Sequence, residues 1–311
     1  HGGILNLDDD SLDKVTCEVS SEGLRRRVVK GSKGPAIPSE RASRVLLWVG
    51  ILATGAFYLV PYLWMVLTSL KSNPEFYASP PVVFPANPDF FRYVNVFFAS
   101  NFFPTLRNSV IVATITTLVT LAAVIPASYA LVRFQMRGRT TLLLLFLALM
   151  LFPPISFLGY LFTLVRFFGV FDNIFGVILP YIALGIPLGI WVLTSFIKSV
   201  PVELEEAALV DGAGRFEVLR KIVLPLTAPG IAAAALIIFI TAWNEFMIAL
   251  TVTLYAARTV TIGVVLFMGL YLINWGELTT AAVIASLPVV IAAIIAQRLI
   301  VRGLTAGAVK G

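Results

Sequence analysis

The chain of 311 residues holds one cysteine, Cys17, and one histidine, His1. No disulfide can close within it, and no His/Cys metal site can be assembled. Neither a Ser/His/Asp nor a Cys/His catalytic set can be built from residues confined to the N-terminal stretch. No lysine lies deep in an apolar run to activate a serine. The phosphate-cradling pattern G-x-x-x-x-G-K-[ST] is missing, and Gly31-Ser32-Lys33-Gly34 is only a flexible stretch. Charge is scarce as well: 13% of residues, against 59% hydrophobic and a mean hydropathy of +0.92. A soluble domain does not tolerate that balance, so the bulk of the chain belongs in lipid. A membrane enzyme is a poor fit.

What the chain does have is long apolar runs. They predict an all-α membrane protein with six spans: Val45–Leu70, Ser109–Val132, Thr140–Val165, Ile174–Ile197, Ile231–Thr253 and Leu278–Val301. Each is long enough for a hydrocarbon core of roughly 30 Å at about 1.5 Å per residue. Helices satisfy their own backbone polar groups there. Prolines punctuate the spans at Pro61, Pro126, Pro153-Pro154, Pro180, Pro187 and Pro288. Each reads either as a hinge or as static bent packing.

The basic residues fix an orientation. With the N-terminus placed inside, twelve Lys and Arg fall in the inner segments and the inner C-terminal end. Five fall outside (Lys71, Arg92, Arg107, Arg166 and Arg258), and six more lie in the N-terminal tail. Both termini are therefore expected in the cytoplasm. The net charge of +6 is a topology signal and not a mark of nucleic-acid binding.

Residues 1–44 form a separate cytoplasmic tail with little periodicity and the composition of a disordered segment. The chain starts without Met, so a processed or engineered start is expected, and the first span would serve as its own insertion signal. Arg25-Arg26-Arg27 either touches anionic lipid or belongs to a merely solvated tail.

The most specific pattern is E-A-A-x3-G-x9-I-x-L-P. Glu206, Ala207, Ala208, Gly212, Ile222, Leu224 and Pro225 meet it at every position. It lies in a polar loop, residues 198–229, between the fourth and fifth spans. Ser199 is expected to cap a short helix entered through Pro201, with Glu203, Glu205 and Glu206 favoured near its N-terminus. Leu204, Ala207 and Ala208 share a face by their spacing. Gly212 lets the chain turn after Asp211. A second short helix over about Arg215–Val223, with Phe216, Leu219 and Ile222 as an apolar stripe, is expected to stop at Pro225. The bland alternative is an amphipathic loop lying on the membrane surface.

This loop closely resembles the cytoplasmic coupling loop of ABC importer permeases. The resemblance extends over nearly all of residues 45–311. Asn108-Ser109, Ala127–Leu131 with Arg133, Phe134, Gly138 and Arg139, and Trp243-Asn244-Glu245-Phe246 are similar to the sugar permeases. The ending Gly303–Gly311 looks like the tail of the maltose-type second permease subunit. The resemblance implies the type I ABC importer permease fold and carbohydrate uptake. It implies a second permease as heterodimer partner, an ABC ATPase dimer and an extracytoplasmic solute-binding protein. ATP and Mg would sit in the ATPase subunits, with no cofactor bound by this chain. ATPase coupling would fall to Glu205, Glu206, Ala207, Ala208, Asp211, Gly212, Ile222, Leu224 and Pro225, with Glu206 as the ion-pair residue. The C-terminal tail, residues 302–311, would reach between the ATPase subunits. Its glycines and alanines by themselves fit a frayed end equally well.

Glu245 is the unusual intramembrane acid. Burying it in a span costs roughly 2.5–3.5 kcal/mol on insertion scales, so it should face protein or water. Trp243, Asn244 and Glu245 either line the translocation pathway or form a structural hydrogen-bond network. Leu270, Tyr271, Asn274 and Trp275 either contact the binding protein or pack an outer vestibule, together with the Pro- and Phe-rich stretch Lys71–Leu106. The alternative function is an ion-coupled carrier working without an ATPase; it would rest on Glu245 alone and leave the loop unexplained.

Overall fold

In a computed structural model of the chain, residues 40–269 and 273–308 are described. They fall into two units, divided within the first helix between Leu59 and Val60. The first unit contributes apolar residues of α1 (Glu40–Ser69). The second holds everything from Val60 onward and carries the site.

After α1 the chain passes through a 3-10 turn, Asn73–Phe76, into α2 (Phe91–Val94) and a π turn, Asn95–Ala99. The long α3 (Phe102–Arg133) follows, then α4 (Arg139–Leu151), α5 (Leu158–Phe167) and α6 (Ile174–Lys198). Short helices α7 (Val202–Val210), α8 (Arg215–Val218) and α9 (Leu224–Leu226) make up the loop. Then come α10 (Ala228–Asn244), α11 (Met247–Val252), α12 (Val260–Val265) and α13 (Trp275–Ala308). The all-α expectation holds among the described residues.

Four helices are continuous, long and apolar enough to cross a membrane: Arg44–Ser69, Phe102–Arg133, Ile174–Lys198 and Trp275–Ile300. The count reaches six only if each of two bent pairs is one span. Arg139–Leu151 and Pro154–Phe167 meet at 87°, and Arg215–Leu226 and Ala228–Asn244 at 78°. The expected third span is therefore broken. Pro153 and Pro154 remove two N–H donors in succession and force the preceding residue out of the helical region. Pro61, Pro126, Pro180, Pro187 and Pro288 all lie inside continuous helices. The expected fifth span is interrupted too. It ends at Asn244, Glu245 is extended (φ −68, ψ 130), and helix resumes at Met247. At the C-terminus helix continues to Ala308, where a slim tail from residue 302 was expected.

α3 packs along α6, and α10 packs against α3, α6 and α13. Small residues let these helices approach closely. A Cβ on Gly185 would come within 3.2 Å of Thr120, and one on Gly189 within 3.1 Å of Val124. At Gly230 the contact is tighter: a Cβ would lie 2.2 Å from the Phe196 ring. Two apolar clusters result. One gathers Phe102, Val177, Tyr181, Trp243 and Ile248. The other, at the opposite end, runs from Val124, Leu193 and Ile197 into Val218 and Val223. The loop helices therefore share a core with the spans instead of resting on a surface.

Candidate coupling site and intramembrane polar groups

The loop begins where α6 ends. Ser199 does not cap α7; its hydroxyl donates back to the Phe196 carbonyl, and Pro201 occupies the N-cap position. α7 stops in a Schellman turn. The Gly212 amide donates to the Leu209 carbonyl and the Ala213 amide to Ala208. Gly212 has φ +90, a conformation that penalises any side chain, so the expected turn residue is confirmed in that role. Asp211 is exposed, with its amide closing the last turn of α7.

The second loop helix is longer than expected. α8 leads through a π turn, Leu219–Val223, into α9, and the chain bends only at Thr227. Pro225 sits in the first turn of α9, where its missing N–H is tolerated. The extra residue of the π turn rotates the expected stripe apart. Phe216 is 76% exposed, Leu219 is buried and Ile222 is half-buried. Leu224 is half-buried and Pro225 exposed.

α7 divides its residues sharply. Val202, Leu204, Glu206, Ala207 and Val210 are exposed. Ala208 and Leu209 pack into the cluster beneath. Glu205, given with Glu206 as a coupling residue, joins that buried face. Its carboxylate accepts a 2.9 Å hydrogen bond from the Tyr129 hydroxyl and pairs with Arg133 Nε at 2.6 Å. Arg133 Nη2 also donates to the carbonyls of Ile197 and Val200. Arg215 lies 5.9 Å from the Phe134 ring centroid, beside this network.

Further along the bundle, Glu245 caps the interrupted helix. Its Oε1 accepts from the Ile248 amide at 2.9 Å and its Oε2 from the Ala249 amide at 3.2 Å. The Tyr181 hydroxyl donates to Oε2 at 2.7 Å. The helix breaks between Glu245 and Ala249, so the two do not share a helical face. Trp243 is buried and donates to the Ala285 carbonyl. Asn244 is exposed and lines a groove of about 470 Å³ with Phe246, Thr261, Ser286 and Val290.

At the end away from the loop, Asn108 and Ser109 lace α3 to the segment after α11. Asn108 Nδ2 donates to the carbonyls of Ala256 and Arg258, and Ser109 Oγ accepts from the Val260 amide. Asp172 receives the amides of Leu254, Tyr255, Ala256 and Ala257. Partial burial works to raise its pKa, but these amides outweigh it and hold the carboxyl below its ordinary value. Arg92, buried in the Pro-rich segment, donates to the carbonyls of Ser69 and Lys71 and pairs with Asp89. Asn274 caps α13 through the Glu277 amide, and Trp275 is its exposed first residue. Leu270 and Tyr271 lie outside the described residues. Sequence reasoning missed Tyr129, Arg133, Tyr181 and Asp172 as site-forming groups. A polar pair four apart at a span end, and an Asp-Asn turn between spans, were the available signals.

Residues 120–306 match the family described as binding-protein-dependent transport system inner membrane component. The chain belongs to that family. This permease is 40% identical over 276 residues to the trehalose/maltose transport system permease protein MalG of Thermococcus litoralis, covering 88% of this chain and 99% of that one. It is 36% identical over 275 residues to the trehalose transport system permease protein SugB of Mycobacterium tuberculosis, covering 87% and 99%. It also superposes on a crystal structure of a bacterial ABC transporter involved in import of the acidic polysaccharide alginate. The TM-score is 0.71 at 20% identity, over 85% of this chain and 99% of that chain, which establishes the fold. The permease is a multi-pass membrane transport component and not an enzyme. The ion-coupled carrier finds no support: the family works with a binding protein, and the acid the carrier needed is engaged as a helix cap.

Proposed function

We propose that this permease carries a saccharide or saccharide derivative across the cytoplasmic membrane as one subunit of an ATP-driven importer. The single observation that carries the mechanism is the loop itself. It offers an exposed edge (Leu204, Glu206, Ala207, Val210, Phe216) while its other edge is embedded in the core of the spans. A partner that seats on the exposed edge would move the spans with it. The partner is an ABC ATPase dimer, which holds ATP and Mg, and this chain binds neither. Glu206 pairs there with a basic residue, and the small Ala207 permits close approach. A second permease completes the passage, and a solute-binding protein delivers the ligand to the opposite end, near Asn274 and Trp275. The distribution of Lys and Arg supports a cytoplasmic loop and cytoplasmic termini. Closing of the ATPase pair on ATP then biases a rigid-body switch between inward- and outward-open bundles. The saccharide assignment is supported by the relatives, named for trehalose, maltose, sulfoquinovosyl glycerol and diacetylchitobiose.

The test is reconstitution of the complete complex in vesicles, with radiolabelled trehalose and maltose as probes. Uptake is expected only with the binding protein outside and ATP with Mg inside. Sugar movement by this chain alone, without nucleotide, would sink the reading.

A further inference from the structure

Two neighbouring glutamates in α7 face opposite ways. Glu206 is exposed, whereas the Glu205 side chain is only 2% exposed and its partner Arg133 only 10%. Apolar contacts with Val218, Leu219 and Val223 already give α7 and α8 a seat on the spans. Apolar contacts hold helices together without fixing their angle. A guanidinium is planar and its donors form a rigid fork, so it does fix one. Here one edge of Arg133 grips Glu205 through Nε. Nη2 grips Ile197 and Val200, the last residues of α6 and the turn beyond it. Arg133 itself terminates α3, and Tyr129 one turn earlier holds the second carboxylate oxygen. Three elements, α3, α7 and the end of α6, thus meet on one guanidinium.

We propose that Glu205 and Arg133 form a directional joint that makes α7 turn as one piece with the ends of α3 and α6. Glu205 acts inward, as a positioning residue for transport, and not on the partner that Glu206 meets. The joint's part in transport rests on the proposed importer function; its geometry does not. Losing the charge at either end leaves the other buried and uncompensated. Lysine at 133 keeps the charge but not the fork.

The experiment uses the full chain in its assembled complex, in a Cys17→Ser background that leaves no other thiol in this chain. Spin labels go on Glu203→Cys and Gln135→Cys, exposed positions outside the edge offered to the partner. The wild-type distance distribution is expected to be narrow, and to broaden about twofold in Glu205→Gln, Arg133→Gln and Arg133→Lys as the local unit loosens. In vesicles, ATP consumed per maltose moved is expected to rise about fivefold or more in the same variants, the scale of a lost coupling. A merely structural role would lower both activities in proportion to assembled complex and leave that ratio unchanged, which overturns the proposal. Narrow distributions in the Gln variants, or full restoration by Lys, overturn it too. If the wild-type complex shows no ATP-driven uptake but the variants still broaden, the importer reading falls and the joint stands.

Discussion

At Glu245 a carboxylate takes over the work of the backbone carbonyls that the interrupted helix has lost. Both of its oxygens are engaged by groups of the chain itself, two amides and a phenol. Removing it strands those donors in a low-dielectric setting. Glu245→Ala is therefore expected to lower the stability of the purified permease by about 1–3 kcal/mol, read as a fall in its thermal transition. Glu245→Gln keeps one acceptor oxygen and should assemble with its partners better than the alanine variant. Asp172 gives a pH signature at the other end. Its folded pKa lies below the ordinary aspartate value of 3.8. The native state thus binds fewer protons than the unfolded one between the two values, and the clamp's contribution is fully present above the unfolded pKa. It is lost as pH falls through the folded pKa. The stability gap between wild type and Asp172→Asn should be open at about pH 6 and narrow as pH drops below about 4. A gap independent of pH would refute the carboxylate's role.

Among the helices, the apolar runs disclosed the spans because burial in lipid demands continuous hydrophobicity, whatever a helix packs against. Breaks were less legible. Pro153-Pro154 announced a kink but not a bend of 87°. The break at Glu245 had no Pro or Gly to mark it, since a side-chain cap makes it tolerable. The π turn at Leu219–Val223 left no pattern either, and it undid the stripe through Phe216 and Ile222. Which of two adjacent glutamates faces inward was legible in part: Glu205, Ala208 and Leu209 share a face by the same spacing that joined Leu204 to Ala207. Seeing that the face was occupied needed Arg133 and Tyr129, more than seventy positions away. Close packing leads to a further expectation. Gly230→Ala would place a methyl inside the Phe196 ring, so α10 must shift away from α6. A loss of about 1–3 kcal/mol is expected, visible as a lower thermal transition of the complex. Gly212→Pro attacks the loop instead. Proline cannot adopt φ +90, and it removes the amide bonded to Leu209. The expected phenotype is a complex that hydrolyses ATP poorly or without maltose uptake; normal coupled uptake would count against the lever.

For the whole molecule, the groove beside the broken helix is where the switch should become visible. Asn244 lies at the last helical position before the break, exposed, with Thr261 and Ser286 among its lining neighbours and Val289 and Val290 making the wall apolar. A polar residue left exposed at that depth either faces water in the passage or is covered by the proposed second permease. These alternatives differ in their response to nucleotide. A passage residue meets water from one side in the resting complex and from the other once ATP is bound, because a rigid-body switch moves the access route and not the residue. In the Cys17→Ser background, Asn244→Cys is expected to react with a membrane-impermeant maleimide added from the loop side only while nucleotide is absent. Trapping the complex with ATP and a hydrolysis-deficient ATPase should suppress that reaction by about tenfold or more, the size of a two-state shift of at least 1.4 kcal/mol. Reactivity at the opposite side should rise in step. A thiol inert from both sides in both states would place Asn244 in the subunit interface and leave the passage to be lined from elsewhere.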